Sequence, residues 1–212
     1  MAWTIQQQIQ NWTYPATSSG QTITFGSNCT PGSLMFAMVS ALNNSITSTA
    51  VSDPTNGTWN YIANVVGGYG NMSIYWVLNT AATALAVSWV DTLAYPGFQA
   101  IEFTGNKSSS PLDNYATSTG VTGVAVVATN ANELVIGFPC PSSGGNMETT
   151  TGWTSTVPSD TSGQPMIYAI KASAGTYTPT FTNSGGVFSA SWLPATVAAA
   201  LPPLRMMMGC GT

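Results

Sequence analysis

A surface helix needs a polar face, and in most proteins Glu, Lys and Arg supply it. This chain of 212 residues has only three cations, Lys107, Lys171 and Arg205, and seven carboxylates, Asp53, Asp91, Glu102, Asp113, Glu133, Glu148 and Asp160. No segment sustains a 3.6-residue apolar period over three turns. Period two is common instead. Met72, Ile74, Trp76 and Leu78 alternate with Ser73, Tyr75, Val77 and Asn79, the pattern of a half-buried strand.

Similar runs occur at 21–25, 33–42, 58–66, 83–90, 98–104, 121–129, 133–138, 164–171, 177–182 and 187–193. Turn clusters separate them. DPTNGT at 53–58 and GGYGN at 67–71 supply the Asn-Gly and Gly positions that tight hairpins require. Thr and Val stiffen at χ1 and fit a pleated surface, and Thr faces water without adding charge. The expected class is all-β, an antiparallel two-sheet β-sandwich, jelly-roll-like. No self-similarity shows at periods of roughly 20–50 residues, which disfavours a propeller or solenoid. The expected organisation is an N-terminal strand or arm over 1–24, the sandwich over 25–194 and an extended tail over 195–212. Residues 141–165 read as a long polar loop at one end of the sandwich, with at most one short strand around Trp153.

The charge inventory excludes several function classes. Non-specific DNA binders neutralise roughly 6–10 phosphates, against three scattered cations here, so neither nucleic acid nor an anionic membrane is an expected partner. The longest apolar run, Leu34 to Leu42, falls short of the roughly 18 residues of a spanning helix. The N-terminal MAWTIQQQIQNW lacks the basic and apolar regions of a secretory signal. With no histidine, a Ser-His-Asp or Cys-His nucleophile cannot be assembled. Cys29, Cys140 and Cys210 are widely spaced without a CxxC, so zinc is not expected, and Cys29 and Cys140 read as small apolar residues.

Lys107, in a turn, and Lys171, at a strand end, read as solvated charges rather than catalytic lysines. Two acids about 5–9 Å apart would suffice for a glycosidase, and Asp53, Asp91, Glu102, Asp113 and Glu133 are the candidates. Each has an ordinary role open to it, as a turn cap or an acceptor for neighbouring backbone. The expectation is a protein without catalytic residues or cofactor. Calcium, were it bound, would draw on Asp53, Asn56 and Asp91. Sugars are held by aromatic faces beside polar side chains. Trp153, Trp59 and Tyr69 are the glycan-binding candidates, with Tyr61, Tyr75 and Tyr95 further aromatics beside polar residues. Trp76, Trp89 and Trp192 sit at strand spacing and are expected in the core. In the tail, Pro202 and Pro203 block regular structure, leaving Arg205, Met206, Met207 and Met208 as a flexible candidate anchor for a neighbouring subunit.

Several stretches together resemble a family of β-sandwich domains found in phage virion or tail-associated proteins and in bacterial secreted proteins. They are GSLMFAMV at 32–39, VSDPTNGTWNYIANV at 51–65, MSIYWVLNTAATALAVSW at 72–89, AIEFTGNKSSSPLDNYATSTG at 100–120, ATNANELVIGF at 128–138 and GTYTPTFTNSGGVFSASWLP at 175–194. The resemblance covers roughly 25–195. It implies a concanavalin-like or jelly-roll-like sandwich serving as an extracellular or virion module, and it carries over no catalytic residue.

The expectation for function is a non-enzymatic structural protein at a virion surface. It would be a capsid decoration or cement protein, or a surface fibre or tail component. It would form a homo-oligomer, trimer or higher, dock on a capsid or tail protein, or do both. The alternative is an adhesin-like carbohydrate-binding module on a phage or cell surface, extracellular, with a glycan as partner.

Overall fold

The computed structural model describes residues 2–11, 19–42, 51–67, 70–119, 123–140, 151–156, 166–182 and 185–195. Every described element is a strand. In chain order they are β1 (Thr4–Asn11), β2 (Gln21–Thr24), β3 (Leu34–Leu42), β4 (Val51–Asp53), β5 (Gly57–Thr58), β6 (Asn60–Val66), β7 (Asn71–Leu78) and β8 (Ala86–Trp89). They continue as β9 (Ala94–Thr104), β10 (Leu112–Thr119), β11 (Val126–Ala128), β12 (Glu133–Cys140), β13 (Thr154–Ser155), β14 (Ile167–Lys171), β15 (Gly175–Tyr177) and β16 (Gly186–Trp192). No described helix is long and apolar enough to cross a membrane.

The all-β, antiparallel class holds, with more layers than the two expected. Two five-stranded sheets, β1-β9-β3-β7-β6 and β10-β16-β12-β14-β13, contribute the main core. The sheet β2-β8-β4-β5 covers the other face of the first, and the pair β11-β15 covers that of the second. This layering explains the continuous apolar runs. Leu34, Phe36 and Met38 of β3 face the main core, while Met35, Ala37 and Val39 face the outer sheet. A strand covered on both sides has no solvent face to mark with polar residues. At about 25 cal/mol per Å² of apolar area, such strands supply most of what holds the layers together.

The chain builds this stack from two halves with one topology. Matching strands by position pairs β1 with β10, β9 with β16, β3 with β12, β7 with β14 and β6 with β13, and the outer β2 and β8 with β11 and β15. Register agrees residue by residue. Leu34 lies opposite Phe103 and Leu78, and Leu134 lies opposite Trp192 and Ile170. The bulge after Ile5 in β1 recurs after Leu112 in β10. Just before the buried strand of each half, a residue with positive φ, Gly32 at 81° and Asn132 at 61°, donates its N–H at 2.7 Å. The acceptors are the equivalent carbonyls of Asn79 and Lys171. Gly and Asn are the residues that accept this backbone conformation most readily.

Leu34, Phe36 and Met38 meet their counterparts Leu134, Ile136 and Phe138 in the same core, so the halves pack through equivalent faces, as the protomers of an isologous dimer do. Phe36 stands edge-on to Phe103 at 6.0 Å and to its counterpart Trp192 at 4.5 Å. Where the chain passes from one half to the other, Lys107 donates its N–H to Leu193 O at 3.0 Å and Ala195 donates to Gly105 O at 2.6 Å.

Candidate functional site

Four of the carboxylate candidates are tied into the fold's own hydrogen bonds. Asp53 ends β4, where the turn reverses into β5. Its Oδ1 accepts the backbone N–H of Thr55 and of Asn56, both at 2.8 Å, and its Oδ2 accepts Asn56 Nδ2 at 3.0 Å and Trp59 Nε1 at 2.6 Å. This turn cap is crowded with N–H donors, the opposite of the oxygen cage a calcium ion needs. Glu102 is buried in β9. It accepts Thr30 N–H at 2.6 Å and Gln7 Nε2 at 2.8 Å.

The second half caps the equivalent loop N–H from a different strand. Glu133 of β12 accepts Asn130 N–H at 2.5 Å. Its other oxygen, Oε2, is buried without a partner. Burial pushes the Glu133 carboxyl above the usual carboxylate range; the Asn130 bonds oppose this and neighbouring Asp113 adds to it. Asp113 in turn accepts the N–H of Thr129 at 2.9 Å and its hydroxyl at 2.8 Å. Two acids in mutual contact lack the 5–9 Å gap that sugar hydrolysis requires. Asp91 accepts the N–H of Thr92 at 2.9 Å. Among the described residues, no group of three or more His, Cys, Asp or Glu is placed to hold a metal.

The glycan candidates separate. Trp59 is 1% exposed, its indole sealed in the outer core and its Nε1 consumed by Asp53. Trp153 is its counterpart, since each precedes the strand that pairs with the equivalent stretch of β7 or β14. It is half-buried and packs against both small clusters on the outer face of the second sheet. The Lys171 ammonium lies 4.2 Å from the centre of the Trp153 ring and 5.0 Å from that of Tyr177. Desolvation lowers the Lys171 pKa from its ordinary value. The Tyr177 hydroxyl donates to Ser173 O at 2.7 Å. This cation between two aromatic faces was not foreseen from sequence, because the end of β14, Tyr177 of β15 and the turn before β13 come together only in the fold. Tyr69, Arg205, Met206, Met207 and Met208 lie outside the described residues.

Two clefts open at the end where the halves join. The larger, about 870 Å³, is lined among others by Trp3, Lys107, Asn130, Asn132, Ile170 and Pro194. The smaller, about 430 Å³, is lined by the equivalent 30–33 loop together with Thr104, Asn106 and Lys107. Trp3 Nε1 donates to Asn132 O at 2.9 Å across the larger one.

Cys29 and Cys140 are free and buried in different cores. Burial pushes their thiols up to about 11 and about 12, which keeps them protonated and unreactive. Trp89 and Trp192 are fully buried, as their strand spacing implied, and Trp76 packs against the main core. No protein-family model, curated protein or solved structure matches the chain.

Proposed function

We propose that the chain is a non-enzymatic structural protein that self-associates at the surface of a virion, as a capsid decoration or cement protein or as part of a surface fibre or tail. The observation that carries this reading is the state of the carboxylates. In a chain without histidine, Asp53, Glu102, Asp113 and Glu133 are each engaged by backbone or side-chain donors of the fold. Groups held this way stabilise turns and loops and have no free oxygen positioned at an open cleft. The low charge of the surface fits the same reading, because little electrostatic repulsion opposes the close approach of copies. The phage and secreted-protein sandwich resemblance stays part of the proposal. So does the jelly-roll likeness, which applies best within each half, where the chain passes repeatedly between an inner and an outer sheet.

A second reading rests on Trp153. An indole beside a lysine and a tyrosine at the surface is suited to a sugar bearing a carboxylate. The test pairs two measurements on the full chain. Mass photometry over a concentration series should show assemblies larger than the 22.0 kDa chain, and a glycan array should show no binding that depends on Trp153. A protein that stays monomeric and binds a glycan with wild-type Trp153 but not with Trp153→Ala reverses the choice.

A further inference from the structure

The duplication of the fold implies a duplication of its contacts. We infer that the outer edges of β1 and β10 are equivalent docking strands for second copies of this chain, one on each side of the molecule, so that each protomer is bivalent. The inference rests on the self-association reading and names its contact.

β1 and β10 are each eight residues long, and among the described residues each is the terminal strand of its five-stranded sheet. A terminal strand leaves a row of N–H and C=O groups open to another chain, and proteins guard such rows with Lys, Pro, short strands or bulges. β1, TIQQQIQN, contains no charge and no proline; β10, LDNYATST, contains one carboxylate, Asp113, which is occupied by Thr129. The far edges of the same sheets are guarded: β13 has two residues, and the pairing of β6 is broken by a bulge between Tyr61 and Ala63. In β1 and β10 the bulge falls near the start, after Ile5 and Leu112. It leaves regular stretches from Gln7 and from Asn114 onward.

The two edges face away from each other. β1 lies beside the β13 side of the second sheet, since Gln8 Nε2 donates to Thr156 O at 2.5 Å. β10 lies beside β6, since a Cβ at Gly186 of β16 would meet both Ser118 O and the side chain of Val65. The occupant is a second copy, because the stretches after the bulges, Gln7–Asn11 and Asn114–Thr119, carry no charge and meet their own images without like charges opposed. Antiparallel pairing of a strand with itself is two-fold symmetric and closes as a dimer; two such edges per protomer give an open row.

Gln10 and Thr117 are equivalent, paired with Gln99 and Phe188 at matching positions, and both are exposed. The test compares wild type, Gln10→Lys, Thr117→Lys and the double variant by mass photometry, with far-UV circular dichroism confirming the fold. Wild type should exceed the dimer, each single variant should stop at the dimer, and the double variant should be monomeric at physiological salt. At about 1 M salt, where screening is within ~3 Å, assembly of all variants should return. Variants that assemble as wild type does overturn the edge contact while leaving self-association in place. A monomeric single variant overturns the equivalence of the two edges. A wild type monomeric at every concentration removes the self-association reading itself.

Discussion

Replacing Trp59 by Phe and Trp192 by Phe removes the same atoms from two fully buried sites, yet the structure predicts very different costs. Each change deletes roughly 45 Å² of apolar surface, worth about 1 kcal/mol at 25 cal/mol per Å². At Trp59 the lost Nε1 also served Asp53 Oδ2 at 2.6 Å. A hydrogen bond to a charged group contributes about 1.5–3 kcal/mol, so Trp59→Phe should cost about 2.5–4 kcal/mol in total. At Trp192 the Nε1 is buried with no partner, and removing an orphaned donor returns about 1–3 kcal/mol. The equivalent position of the first half is already a phenylalanine, Phe103, packed on the same Phe36 ring. Trp192→Phe should therefore lie between neutral and about 2 kcal/mol more stable than wild type. Urea unfolding followed by circular dichroism measures both, with the midpoint read at constant m-value. Equal losses, or a larger loss at Trp192, would refute the assignment of Asp53 and Trp59 to a structural turn cap.

Three further outcomes follow from the same geometry. Glu133 binds its proton more tightly folded than unfolded, so this group's contribution is full below its unfolded pKa and is lost as pH rises through the folded one. Glu133→Gln should flatten that loss and stabilise the protein at pH 7 by about 1 kcal/mol, since the amide offers Asp113 a donor; an unchanged pH profile of urea unfolding contradicts this. Gly105→Ala places a Cβ at φ 99°, 2.6 Å from Ala2 O, and should cost about 2–3 kcal/mol by the same measurement; a neutral effect means the two ends of the first half are not in contact. In a Cys210→Ser background at pH 8, Cys29 and Cys140 should react with a thiol reagent only after denaturation, and labelling of the native protein would show that their burial is wrong.

The central strands were legible in the sequence because their residues are dictated by burial on one or both faces. Met72 to Leu78 alternates, although the outer sheet buries Ser73 and Tyr75 on the face expected to meet solvent, and Leu34 to Ala41 is apolar except for Ser40 for lack of a solvent face. β1, foreseen only as part of a strand or arm over 1–24, and β10, which the sequence pattern missed together with β4, are the equivalent edges. An edge strand with water on one side needs little apolar alternation, and in each a bulge shifts the phase of what alternation there is. The internal duplication was hidden for a related reason. Equivalent core positions hold different residues, Phe103 against Trp192 and Ile101 against Ala190, so packing is conserved in place while identity is not. Trp59 and Trp153 look alike as sequence, each following a glycine turn. Only the β4 and β5 strands, with Asp53 between them and the indole, make the first a sealed core residue.

Self-association through matched edges is tested most directly by hydrogen exchange of the full chain at concentrations below and above assembly. If copies pair through these edges, the amides that point away from β9 and β16, every second residue from Gln7 to Gln10 and from Asn114 to Thr119, gain protection together as concentration rises, while the β3 and β12 amides stay protected throughout. Exchange that is identical at every concentration, or protection gained only away from these two edges, would contradict it.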